Sequence, residues 1–480
     1  MPFQISHFWV FMKFINTMSF NGRFILATLL TIAAVSTHAQ SNIHTPYSRF
    51  GLGALDQPGS VSHFGMGGLT TPIADQNVIN WNNPASYSFM DVTTLQVSGK
   101  GVSSIYTNNN ASNSFRGGQI NEIFFGFKQR DSKWGFAFGL TPYSTVGYGF
   151  SQESTINDTL GVIYSYRGTG GVNRATIGLS RVLNYRKKIE VDTTTTKKDS
   201  LSAKQHQFSF GSNINFLFGN VIDTSKILYD NINIYNTRIV QQNRMSGFVF
   251  DIGGLYRVPL VLTYDDKRIS GGTYFQAGIK YSIETNLNSS ISRVNQLYLT
   301  SGGIEFPVDT VFSQTDLKQK IAIPQNFAVG FAFRKISKKL GSLQVGLDYK
   351  IQDWKGVSAV FGSELNEDRI LDAASTVSFG IDYRPSQNRS SNLVNRMQYR
   401  VGLRNTDTYL NLNQIAIEQR AVSAGISIPV LKSDSKFHLG AEYGIGGTLD
   451  TGLVKEQFWN FQVGFTFTPR EPWFNQVKYD

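Results

Sequence analysis

The sequence predicts an all-β protein: a transmembrane antiparallel β-barrel of about 14 strands with an N-terminal plug, or hatch, inside its lumen. Three observations predict it. Runs of ten or more residues alternate between an apolar, often aromatic face and a face of Gly, Ala, Ser and Asn. These runs are separated alternately by short and long connections. The chain opens with a secretory leader, yet no later stretch reaches the ~18 consecutive apolar residues of a membrane helix.

Composition agrees. The 480 residues include 36 Phe, 21 Tyr and 45 Gly, only 16% are charged, and there is no Cys. A disulfide framework and a thiolate metal site are therefore excluded. The formal charge is +11. Its basic clusters, such as Arg186 to Lys188 and Lys335 to Lys339, fall in turns. No nucleic-acid motif accompanies them, so nucleic acid is not an expected partner.

In chain order, Arg23 precedes the apolar run Phe24 to Ala34, and Thr37-His38-Ala39 offers a small-residue cleavage pattern before Gln40. Residues 1–39 read as a signal peptide, with Met12 or Met18 as alternative starts. Residues 40–92 do not alternate. They are apolar and Gly-rich, with Pro46-Tyr47-Ser48-Arg49-Phe50-Gly51 and Phe64-Gly65-Met66-Gly67-Gly68, which suits a segment packed inside a barrel.

The barrel is expected over 93–469. Its strands fall at 93–106, 119–130, 133–150, 172–185, 205–220, 244–259, 270–286, 323–337, 341–354, 372–385, 396–407, 413–430, 436–448 and 456–469. A unit of apolar, Gly, apolar, polar or small, apolar recurs in them. Examples are Ala277-Gly278-Ile279-Lys280-Tyr281, Val329-Gly330-Phe331-Ala332-Phe333 and Val463-Gly464-Phe465-Thr466-Phe467. In a soluble sandwich the second face would meet water with Lys, Glu and Thr. Small residues there suit a crowded lumen, and aromatics on the other face suit lipid. The segments 221–244, 287–324 and 354–371 read as extracellular loops, and 185–204 as a long periplasmic turn. Residues 470–480 form a periplasmic tail.

Two stretches carry a family likeness. Asn83-Pro84-Ala85 stands just before the first strand, and Gly168-Thr169-Gly170-Gly171-Val172-Asn173-Arg174 precedes Ile177-Gly178-Leu179-Ser180. With the strand count, these resemble the long-chain fatty acid transporter family of outer-membrane barrels. The opening Pro46 to Gly51 and the closing Trp473-Phe474 to Asp480 look like a less characterised branch, some of whose relatives serve a secretion system. The resemblance implies a hatch at Asn82, Asn83, Pro84 and Ala85. It also implies a lateral exit at a kink in the third strand, where Pro142 lies between Gly139 and Gly147. On residue chemistry alone Asn-Pro also starts an ordinary turn, and Pro142 equally opens an external loop.

The alternation places Lys280, Asp348, Lys350, Asp382, Arg384, Arg400, Arg404 and Glu442 on the lumen face. Opposite charges in a confined lumen pair, so a salt-bridge lattice anchoring the plug is expected. A selectivity ring for a polar solute is the functional alternative. Past the leader the chain holds only His44, His63, His206 and His438, without metal-ligand spacing and without a base expected near the outer leaflet. No enzyme activity, metal or cofactor is therefore expected.

The function predicted is passive uptake of hydrophobic or amphipathic small molecules through a hatch-gated lumen in the bacterial outer membrane. The partners are then membrane lipid and an apolar ligand. The alternative is a non-transporting barrel that partners a protein secretion or surface-attachment system.

Overall fold

The computed structural model describes residues 45–468 apart from 58, 110, 129–131, 157–159, 187–204, 232, 266–267, 339, 356, 358–368, 389, 413 and 431–433. The expected signal peptide and C-terminal tail lie outside the described residues, as do most of 185–204 and of 354–371.

Fourteen antiparallel strands close into a barrel. They are β1 Thr94–Thr107, β2 Ser112–Phe127, β3 Trp134–Ile156, β4 Leu160–Arg186, β5 Gln205–Tyr229, β6 Asn236–Asp265 and β7 Arg268–Ser282. The second half comprises β8 Asn326–Ser337, β9 Gly341–Asp353, β10 Ala373–Arg384, β11 Gln398–Leu412, β12 Ile415–Pro429, β13 Lys436–Gly446 and β14 Lys455–Phe467. The last strand seals against the first, from Lys455 opposite Thr107 to Phe467 opposite Leu95. We call the end where β1 begins and β14 ends the lower end.

Alternation sorts the side chains as the pattern requires. On β14, Trp459 and Phe461 point outward, each 48% exposed, while Asn460, Gln462 and Thr466 are buried inside. Outward Phe136, Phe138, Phe248, Phe250, Phe331 and Phe333 extend the same apolar belt around the wall. A soluble monomer does not expose so large a continuous apolar surface, whereas a lipid-facing barrel requires one.

Two segments expected to be loops are strand. β5 continues to Tyr229 and β6 begins at Asn236, so 221–244 is mostly an extension of the wall. Residues 287–324 form a hairpin, Thr285–Ser301 and Ile304–Ile323, whose first strand pairs with the upper half of β6. β4 likewise begins at Leu160 rather than near 172, and β2 at Ser112 rather than near 119. These upper halves rise above the apolar belt. There the side chains no longer face lipid on one side and the plug on the other, and the two-faced signature fades although backbone pairing persists.

Candidate functional site

Residues 45–93 run through the lumen and touch the inner face all the way round. The glycines of the recurring unit explain how so much chain fits. A Cβ at Gly278 would lie 2.0 Å from the Thr71 carbonyl oxygen, at Gly380 2.6 Å from Met66, at Gly402 2.0 Å from the Gly67 nitrogen and at Gly440 2.8 Å from Phe64. The small inner face is thus the seat of the plug, which approaches to backbone contact. At the expected hatch, Asn83 caps the 3-10 turn Pro84–Phe89 by accepting from Ala85 N–H, and its amide donates to the Thr71 carbonyl at 2.7 Å. Pro84 packs on Gly211 and Gly253, and the Ala85 carbonyl accepts from Ser209. Asn82 donates to Thr70 and accepts from Lys280.

Charged side chains fasten this segment. Asp348 accepts from the Thr70 and Thr71 backbone N–H groups at 2.9 and 3.1 Å and from the Thr71 hydroxyl. Lys350 pairs with Asp348 at 3.5 Å and donates to the Gly68 carbonyl. Asp382 stands directly opposite Arg400 and pairs with it. Arg404 reaches across β12 to Glu442 at 3.0 Å, over the small residues Ala421 and Ser423. Lys280 pairs at 3.7 Å with Asp251, a partner sequence reading missed. Of the eight predicted lumen charges only Arg384 lacks an ion pair or hydrogen bond among the described residues; its Nε is buried without an acceptor. In the plug, burial pushes the His63 imidazole down to about 4, so it stays neutral; its Nδ1 accepts from the Ser60 N–H.

We expect Asp348→Ala to destabilise the protein by about 3 kcal/mol, because it orphans two buried N–H groups and takes away the carboxylate that pairs with the Lys350 ammonium. Thermal unfolding in detergent measures it. An unchanged midpoint would show that Asp348 does not hold the plug.

Above this floor lies a cavity of about 310 Å³. Leu217, Val249, Ile323 and Phe458 give it an apolar wall, and Arg174, Asp251 and Lys280 a charged one. That volume is at the small end of the range for small-molecule sites. Arg174 lies 4.2 Å from the Trp81 ring centroid and donates to the Thr141 hydroxyl. Sequence reading gave neither residue a site role: Arg174 entered it only as the end of the Gly168-to-Arg174 stretch, and Trp81 belongs to no charge pair or repeat.

The wall beside the cavity is interrupted at the third strand. β3 pairs with β4 along its whole length, with a bulge at Tyr143 between Pro142 and Ser144. With β2 it pairs only from Ile123–Leu140 down to Phe127–Phe136. Among the described residues, β3 has no β2 neighbour above Leu140, just where Pro142 removes a donor. The N-terminal segment covers part of that edge instead. Ala54 and Leu55 pair with Thr145 and Ser144, Asp56 N–H donates to the Tyr143 carbonyl, and Thr45 N–H and the Ser48 hydroxyl bind Gly147. Asp56 bridges the gap. It pairs with Lys100 on β1 at 3.2 Å and accepts from Gln119 on β2 at 3.2 Å and from Thr145 on β3 at 3.1 Å. Asp56, Lys100 and Tyr143 also line the cavity, so seam and cavity share a wall.

These features define a class: a closed, plugged barrel of the outer-membrane type, with a lateral discontinuity between β2 and β3. Within it the chain belongs to the BamG family, whose model matches residues 22–195 and 201–480. No curated protein matches the sequence. Among solved structures the chain is similar to the Ralstonia pickettii toluene transporter TbuX, at 13% identity and a TM-score of 0.50, covering 86% of this chain and 98% of that one. It is also similar to a Pseudomonas aeruginosa FadL homologue, at 10% identity and a TM-score of 0.49, covering 86% and 99%. The P. putida toluene transporter TodX gives 15% identity and a TM-score of 0.48, covering 86% and 99%. At such identities the TbuX likeness shows the fold alone.

Proposed function

We propose that this barrel passes apolar or amphipathic small molecules passively between its lumen cavity and the bacterial outer membrane, through the seam between β2 and β3. The observation that carries this reading is the missing pairing above Leu140, set directly beside the cavity. The moving part is the segment from Thr45 to Asp56, which is held to β3 by a few hydrogen bonds and not by a full strand ladder. TbuX is a toluene transporter, which agrees with an apolar cargo. The lower hatch around Asn83 and Pro84 stays seated while the upper segment yields. The test is uptake of N-phenyl-1-naphthylamine by lipid vesicles holding the purified protein. Uptake no faster than in protein-free vesicles would overturn the reading.

Asp56 is the clasp in this scheme. Asp56→Ala removes one ion pair and two hydrogen bonds across the seam at once. We expect the amides of Tyr143 to Gly147 to exchange with deuterium on the order of tenfold faster, with the lower hatch unaffected. Equal exchange in the two proteins would remove Asp56 from the mechanism.

A second reading, a barrel that holds a secretion or surface-protein partner, is favoured by the outer hairpin. Among the described residues its strand Ile304–Ile323 is laddered to Thr285–Ser301 alone, and it exposes Ile304, Phe306 and Val311. Native mass spectrometry of the gently solubilised complex separates the two. A stoichiometric protein partner supports this reading, and a bound lipid-like ligand supports the first.

A further inference from the structure

A second cavity, of about 110 Å³, opens at the lower end of the barrel, away from the seam. It is lined by Asp75 of the plug and by Gln398, Arg334, Arg384, Arg400 and Lys436 of the wall. Four cations therefore surround one carboxylate. Their existing partners leave the surplus standing. Arg400 is taken up by Asp382, behind the cavity. Arg334 reaches Asp75 only at 3.8 Å, beyond hydrogen-bond distance. Lys436 donates to the neutral Gln398 oxygen at 2.7 Å. Arg384 has neither an ion pair nor a hydrogen bond among the described residues, and its Nε is buried without an acceptor. Asp434 and Arg396, both close enough to act on Arg384, offset each other in this count.

Such an arrangement is costly unless something negative completes it. Like charges in a partly desolvated cleft repel, and a buried N–H without an acceptor loses its hydration. A barrel wall needs neither Arg384 nor Lys436 at this height to pair its strands. Two guanidinium groups beside an ammonium are also the donor set that planar or tetrahedral oxyanions favour, because each guanidinium presents a fork of N–H groups. We propose that this lower cavity binds a small oxyanion: inorganic phosphate, or the phosphate at the head of a lipid. Arg384 and Arg334 supply the donors, Lys436 adds charge, and Asp75 keeps Arg334 turned inward. The plug carries one wall of the site, so binding there also holds the plug at its lower end. The proposal does not depend on transport through the seam.

The test uses the full-length protein in a non-ionic detergent, titrated calorimetrically with inorganic phosphate at constant ionic strength. Saturable binding is expected. Arg384→Gln and Arg334→Gln should each weaken it at least tenfold, whereas Arg420→Gln, on the outer wall beside Glu418, should leave it unchanged. Heat-modifiable gel mobility checks that each variant remains a folded barrel. Absence of saturable binding, or retention of wild-type affinity when Arg334 and Arg384 are both replaced, would overturn the site. A second titration with monomeric short-chain phosphatidylglycerol identifies the source. Binding at least tenfold tighter than phosphate assigns the site to a lipid headgroup, and comparable or weaker binding assigns it to the free anion.

Discussion

Bridging β2 to β3 across the seam is expected to reduce N-phenyl-1-naphthylamine uptake to the rate of protein-free vesicles, and cleaving the bridge to restore it. The design is Gln119→Cys with Thr145→Cys, joined by a short bifunctional methanethiosulfonate. The chain has no cysteine of its own, so the reagent has no competing site. Both native side chains already converge on Asp56, and the Thr145 hydroxyl lies 3.3 Å from the Gln119 oxygen. The bridge therefore fits without strain, and its effect reports on movement, not distortion. A full effect is expected because, among the described residues, every other pair of neighbouring barrel strands is laddered and this seam is the break that adjoins the cavity. Each variant alone, treated with the same reagent, should keep most of its uptake. If the bridged protein transports at the unbridged rate, cargo does not pass between β2 and β3. The cavity would then be a dead end, and the partner reading would stand.

Much of this architecture was legible in the sequence because lipid and plug impose different demands on alternate residues. Where a strand has lipid outside and plug inside, as in β8 and β14, Phe and Gly fall on opposite faces and the strand announces itself. Where the wall rises above the belt, that contrast is gone. Thr285–Ser301 and Ile304–Ile323 carry Asn, Ser, Gln and Lys among their apolar residues, and backbone pairing alone makes them strands. Backbone pairing leaves little trace in side-chain identity.

The site was legible in part for a related reason. Pro142 marked the kink because a missing donor is a property of one residue. The seam itself depends on which strand lies beside β3, and the Asp56 clasp joins residues from four separate segments. No local pattern encodes either. The lumen charges could be read from alternation, but their partners could not. Arg404 finds Glu442 two strands away only because Ala421 and Ser423 are small enough to reach over. Asp251 escaped notice because it meets Lys280 on the diagonal of the ladder, with Ser282 as its direct neighbour.

The glycine girdle makes the strongest claim about the plug, and Gly402→Val tests it. A Cβ at Gly402 would sit 2.0 Å from the Gly67 nitrogen and 2.1 Å from the Met66 carbonyl carbon. Both are backbone atoms, so no rotamer change relieves the clash. Gly402 itself has an ordinary backbone conformation, so the whole effect comes from lost space. Either the wall bows or the plug leaves its seat. The wall is laddered on both sides of Gly402, opposite Gly380 and Ser423, whereas the plug is held there by the Ser423 hydroxyl on the Gly67 N–H. The plug is therefore the part that moves. We expect a loss of about 3 kcal/mol or more, with protease cleavage appearing between Val61 and Thr71 while the barrel keeps its heat-modifiable mobility. Gly149→Ala is the matched control. It changes a barrel glycine with nothing within 4 Å of its Cβ position, and should shift stability by no more than about 0.5 kcal/mol. Equal behaviour of Gly402→Val and Gly149→Ala would mean that the plug does not rest on the wall. The recurring glycines would then need another explanation, such as strand curvature. A difference confined to Gly402→Val would tie the repeated unit in the sequence to the seating of the plug.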